Sequence, residues 1–255
     1  MEPRPAMRPM TVIAQDPSVR ANGRTGPILM AKISIPAENL ISGPIGYRVQ
    51  LVDYDSTTRR FYGAHDLPLT LATEPKAWRD GHPRIVGDYR FHAQNVYALV
   101  MKTLARFEFA LGRRVGWSFG THQLKVAPHG MLDANAFYSP NEEGLVFGYF
   151  PGRASGTVYT CLSHDVVVHE TTHALIDALR KRYLDPSSPD QAAFHEGLAD
   201  VIALLSVFSQ PEVILQLLRP SGKPVGISPA LIPRKDVTAR SLRESTLFGL
   251  AKQMG

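Results

Sequence analysis

Three things are scarce in this chain of 255 residues, and each scarcity closes off a class of protein. There is one cysteine, Cys161, so no internal disulfide can staple the fold. No run of eighteen apolar residues occurs, which leaves no segment that reads as a membrane span. Excess charge is also small. Lys and Arg number 28 against 23 Asp and Glu, a net +5, and the basic residues are scattered apart from Arg113-Arg114 and Arg180-Lys181-Arg182. Such a pattern describes a solvated surface, and no nucleic-acid partner is expected. The first ten residues lack the apolar core of a signal peptide, which points to the cytoplasm or to export without a cleaved signal.

What is present suits a globular chain with a sizeable core, 44% of it hydrophobic. Residues 1–25, rich in Pro and Arg, read as a mobile tail. Residues 26–160 read as a β-rich subdomain with one long helix. Strands are expected over 28–35, 47–54 and 124–127, and residues 55–88 are loop-rich. An amphipathic helix runs from Tyr89 to Leu111, with Phe91, Val96, Val100, Leu104 and Phe107 facing the core and Gly112 ending it. Residues 161–255 hold two further helices and the start of a helical region. Pro211 opens a short apolar helix there, a Pro/Gly-rich connector spans 220–233, and the last ten residues look like a helix cut short.

The chemistry concentrates in His169-Glu170-Thr171-Thr172-His173, within a helix expected from Ser163 to Arg182. Helical spacing puts both imidazoles on one face, one turn apart, with the Glu170 carboxylate beside them. Two neutral nitrogen ligands and an adjacent base are what a catalytic zinc needs. The third ligand comes from the next helix. Ser188-Pro189-Asp190-Gln191 reads as its cap, with Pro at the first helical position. Its interior carries Glu196 and Asp200 four residues apart, on one face of an otherwise apolar helix. Two acids there are costly to bury without a cation or a donor. A zinc ion on His169 and His173 would neutralise Glu196, and Asp200 can accept from the second nitrogen of a ligating imidazole. A metzincin would need Gly and His where Ile176 and Leu179 stand, so that arrangement is excluded.

These two helices resemble the thermolysin-like zinc metallopeptidases of the gluzincin group, in which a His-Glu-x-x-His helix precedes a Glu-x-x-x-Asp helix. Asp165-Val166-Val167-Val168 and Asp177 resemble further positions of the family helix, and Asn135-Ala136-Phe137-Tyr138 resembles its substrate-binding edge strand. Glu142 to Gly148 follows like the family's return strand. The resemblance spans about 89–208. It implies a thermolysin-like α+β fold: an N-terminal mixed sheet and helices carrying the zinc helix, and a C-terminal helical domain truncated or missing.

By the same resemblance the chain is a metalloendopeptidase with one Zn2+ held by His169, His173 and Glu196, and Glu170 activates the zinc-bound water. Asp200 supports the ligands, and Asn135, Ala136 and Phe137 hold an extended peptide or protein substrate by strand addition. Tyr183 is the candidate oxyanion donor, slightly offset from the family position. The family's second such residue, a His, has no counterpart, since no histidine follows Glu196. Val207 stands where the family's paired-calcium site needs a carboxylate, so no calcium is expected there. The rival reading, motivated by the missing half of the cleft, is a zinc-stabilised peptide-binding module without turnover.

The remaining singular residues have plainer expectations. Cys161 reads as a small buried hydrophobe rather than a ligand. His164 and His195 read as capping or exposed residues, His92, His122 and His129 as ordinary polar residues, and Asp177 as a structural hydrogen-bond acceptor.

Overall fold

The computed structural model describes residues 6–21, 25–152, 156–180 and 187–217, arranged as a mixed α+β fold. Its first element corrects the expected tail. Strand β1 (Met7–Ile13) pairs antiparallel with β2 (Met30–Pro36), with Met10, Val12 and Ile13 fully buried. The run Met10-Thr11-Val12-Ile13 has the apolar, β-branched character of a strand, and Pro9 is tolerated because a two-stranded ribbon consists only of edges. The open edge of β1 is sealed by side chains. Glu74 accepts from the Thr11 N–H at 2.9 Å and Asn95 Oδ1 accepts from the Ile13 N–H at 2.9 Å.

The main sheet has the order β3 (Val49–Leu51), β6 (Leu124–Leu132), β8 (Gly144–Pro151), β7 (Ala136–Ser139). The β3–β6 and β6–β8 pairs are parallel and β7–β8 is antiparallel, which leaves β7 at the edge. Strand β9 (Thr157–Tyr159) pairs with the far end of β8. A small ribbon, β4 (Tyr54–Asp55) with β5 (Arg60–Phe61), and helix α1 (Lys76–Arg79) break up the expected loop region. The β6 register shifts between Ala127 and Met131, an irregularity that includes His129.

Helix α2 (Tyr89–Leu111) runs as expected. The Asp88 side chain caps its start by accepting from the Arg90 N–H, and Gly112 at φ 64° ends it in the left-handed conformation. Helix α3 (His164–Leu179) packs against α2 and against α4 (Pro189–Phe208), which is followed by α5 (Pro211–Leu217). Ser188 caps α4 by accepting from the Gln191 N–H. At the start of α3, Asp165 accepts both from the Ser163 hydroxyl (2.5 Å) and from the Val166 N–H (3.0 Å). Helix α4 is long and apolar enough to cross a membrane by length and composition, at a mean hydropathy of 1.2, although no run of eighteen apolar residues occurs. In this fold α4 carries Glu196 and Asp200 to the imidazoles of α3.

The connector over 220–233, the last ten residues and Tyr183 lie outside the described residues.

Candidate metal centre and cleft

The spacing of α3 brings His169 and His173 together as expected, their Nε2 atoms 2.9 Å apart. From α4, Glu196 Oε2 approaches the same two atoms, at 3.3 Å from His169 and 3.5 Å from His173. Asp200 Oδ1 lies 2.9 Å from His169 Nδ1. A carboxylate only accepts, so that nitrogen carries the hydrogen and the Nε2 of His169 presents its lone pair inward. Three electron-pair donors thus converge on one point.

The donor set fits a divalent cation. Two imidazole nitrogens and a carboxylate oxygen crowded within 3.5 Å repel one another unless something electron-poor joins them. The set suits zinc in composition, and Asp200 behind His169 is the kind of partner that orients a metal-binding imidazole. His173 is held far into the neutral form, at about 3, first by burial and then by His169 and His195. Neutral imidazole is the ligating form.

The sequence reading missed His195. It is 4% exposed, and its Nδ1 lies 2.5 Å from the Nδ1 of His173, with the rings nearly parallel. It does for His173 what Asp200 does for His169, fixing the ring from behind. Burial, the largest influence, lowers its pKa, and Glu196 and Asp177 oppose that shift. Its Nε2 is buried with no hydrogen-bond partner among the described residues. The expectation of a capping or exposed residue fails because His195, Ala199, Ala203 and Val207 all lie on the buried stripe of α4, one turn apart. His164 shares that expectation of a capping or exposed residue. It too is buried, between Ile13 and Ser206.

Glu170 lines the same cleft as the imidazoles and is 8% exposed. Its Oε2 accepts from the Tyr138 N–H of edge strand β7 at 3.0 Å. Burial pushes its carboxyl up to about 8; the Tyr138 N–H pulls against this and the Glu196 charge adds to it. A cation at the imidazoles would draw it back down. Asp177, as expected, is structural: its Oδ2 accepts from the Tyr138 hydroxyl at 2.7 Å and from the Ser118 hydroxyl, tying β7 to α3.

Asn135, Ala136 and Phe137 line a cleft of about 490 Å³ together with Tyr138, His169, Glu170, His173, His195 and Glu196. That volume falls within the ~300–1,000 Å³ usual for ligand sites. Asn135 is exposed, and its side chain accepts from the Ala136 N–H at 2.9 Å, while its carbonyl accepts from the Gly148 N–H at 2.9 Å. Gly148 is required there: an added Cβ would collide with the carbonyl oxygens of Asp133 and Asn135. Phe137 is partly exposed beside the cleft.

No family model matches the chain, and no curated protein matches it. Among solved structures it is similar to the precursor of protealysin, a metalloproteinase from Serratia proteamaculans, at 21% identity and a TM-score of 0.38. The match covers 66% of this chain and 46% of that one, so the chain spans less than half of that neighbour's length. The reading of the site therefore rests on its own side chains.

Proposed function

We propose that this chain is a zinc-dependent metalloendopeptidase of thermolysin-like type. The observation that carries the reading is the convergence of His169, His173 and Glu196 from two helices, with Glu170 and the edge strand β7 beside it. His169, His173 and Glu196 would hold the ion. Bound there, zinc would polarise a scissile carbonyl and make a water more acidic.

The chain's own residues supply the rest. An extended peptide adds to β7, the exposed edge of the mixed sheet, where Asn135 and Ala136 meet its backbone and Phe137 flanks it. Glu170 Oε2 is engaged by the Tyr138 N–H, which leaves Oε1 to take the proton from the attacking water. The same oxygen then delivers the proton to the leaving amine as the carbon–nitrogen bond breaks. Asp200 and His195 hold the two imidazoles from behind, and with the His173 Nδ1 hydrogen donated to His195 both Nε2 lone pairs would be available to the ion. Tyr183 remains the candidate oxyanion donor on the family resemblance alone.

The test is quenched-peptide turnover before and after chelation, with zinc added back, alongside metal content of wild type and of Glu196→Ala. Turnover that chelation abolishes and zinc restores, with metal lost in the variant, supports the peptidase. Peptide binding with no turnover, both in this chain and in any longer natural form, would favour a zinc-stabilised binding module instead.

A further inference from the structure

Away from the cleft, three other ligating side chains meet in the core. His92 lies in the first turns of α2, His129 at the irregularity of β6, and Cys161 in the 3-10 turn Thr160–Leu162 just before α3. Their exposures are 0%, 1% and 0%, and their donor atoms all lie within 4.8 Å of one another. The expectations of two ordinary polar histidines and a hydrophobe-like cysteine treated these residues singly. Together they form a cluster.

Hydrogen bonding around the cluster fixes which nitrogens bear hydrogens. His129 Nδ1 lies 2.6 Å from Asp53 Oδ2, and the other oxygen of that carboxylate accepts from the His129 N–H at 2.9 Å. His92 Nε2 lies 3.0 Å from the carbonyl oxygen of Val86. An ionised carboxylate and a carbonyl only accept, so both of these nitrogens donate. The two that remain, His92 Nδ1 and His129 Nε2, then present lone pairs to each other at 2.8 Å. Lone pairs at that distance repel unless an electron-pair acceptor joins them, either one extra proton on the Asp53–His129–His92 chain or a metal ion.

Two observations favour the metal. Cys161 Sγ would play no part in a shared proton, yet it completes a nitrogen–nitrogen–sulfur donor set of the kind that suits zinc. Asp53 behind His129 and the Val86 carbonyl behind His92 are the partners that orient metal-binding imidazoles. The charges also balance: a divalent ion, a thiolate and the Asp53 carboxylate sum to zero in a site walled by the rings of Tyr62, Tyr89 and Tyr159.

We propose that His92, His129 and Cys161 form a second metal site distinct from the cleft, three protein donors for a zinc ion buried in the core, whose fourth position a water would fill. It does not depend on the peptidase reading. Donor atoms of a tetrahedral zinc lie roughly 3.3–3.6 Å apart, so ligand shifts of about 1 Å suffice.

The test is cobalt(II) substitution of the full chain, refolded from the metal-free state. Cys161 is the sole cysteine, so any thiolate-to-cobalt charge-transfer absorption in the near ultraviolet reports on this site alone. Wild type should take up two equivalents and show the band. Cys161→Ser should lose one equivalent and the band; Glu196→Ala should lose the other equivalent and keep it. Absence of the band from cobalt-loaded, folded wild type overturns the proposal and assigns the imidazole pair to a shared proton. Because that spectrum needs no variant, it decides even if Cys161→Ser does not fold. A cleft that fails to bind metal removes only the equivalent that lacks the band, so the two proposals fail separately.

Discussion

In the cleft, His169 and His173 face each other with their Nε2 atoms 2.9 Å apart; in the core, His92 Nδ1 and His129 Nε2 stand 2.8 Å apart. Each pair has one ring held from behind by a carboxylate, Asp200 for His169 and Asp53 for His129. The pairs differ in their third donor and in their access to solvent. Glu196 has a side chain 64% exposed at the rim of the cleft, while Cys161 is fully buried. A metal position that solvent reaches admits substrate, whereas donors buried on three separate elements can only hold parts of the fold together. On the two proposals, paired imidazoles would serve turnover in one place and stability in the other. The cleft alone has a spare base in Glu170.

The sharpest way to break this comparison is Glu170→Gln. It should lower peptide turnover by about 10²–10⁴-fold, the usual contribution of a positioned acid–base group, and leave metal content unchanged. Quenched-peptide kinetics with elemental analysis on the same sample would check it; full activity in the variant would remove Glu170 from the reaction. The next largest effect compares the two supporting carboxylates. Asp200→Ala should weaken metal affinity at the cleft by about 10–100-fold and leave the core site alone, and Asp53→Ala should do the reverse. Competition with a chromophoric chelator resolves the two. If either substitution changed both sites equally, they would not be independent.

His195 supplies a smaller contrast. His195→Phe keeps a ring against His173 but removes the nitrogen at 2.5 Å from it, and should cost about tenfold in cleft metal affinity. The chelator titration reads this as well, and unchanged affinity would reduce His195 to a packing residue.

Much of the fold and the cleft was legible because its signals are local. Asp88 and Gly112 mark the ends of α2, and the spacings of His169 with His173 and of Glu196 with Asp200 each lie within one helical turn. His195 was legible in principle, because it continues the stripe of Ala199, Ala203 and Val207. Reading it as the neighbour of a ligand hid its place on the buried face. The β1 error has a similar origin: the Pro and Arg content of the first residues outweighed four consecutive strand-formers, Met10 to Ile13. The core cluster is different in kind. His92, His129 and Cys161 sit on three separate elements, and no periodicity joins them. Only the β6 irregularity and the turn before α3 bring them together.

A third kind of buried histidine completes the comparison and gives the smallest effect. His164 is as deeply buried as the core pair, but every one of its polar atoms is accounted for. Its Nδ1 lies 3.3 Å from the Ile13 carbonyl, and its Nε2 lies 2.9 Å from the Ser206 hydroxyl, which in turn accepts from Arg106 at 3.1 Å. Ser206 can therefore donate to His164, and no lone pair is left over for a metal. Burial holds His164 down to about 4, with the Ile13 carbonyl opposing the shift and Arg106 reinforcing it. The unfolded chain takes up this proton near pH 6.5 and the folded chain does not until about 4, so the stability His164 supplies is present above pH 6.5 and lost as pH falls through that window. Between pH 6.5 and 5.5 the loss should be about 1 kcal/mol for this one group. His164→Gln, which can also donate and accept but does not titrate, should flatten the fall in denaturation midpoint by that amount at constant metal loading. An identical acid slope in the variant would mean that His164 is not held neutral, and the distinction between hydrogen-bonded and metal-seeking imidazoles would lose its reference point.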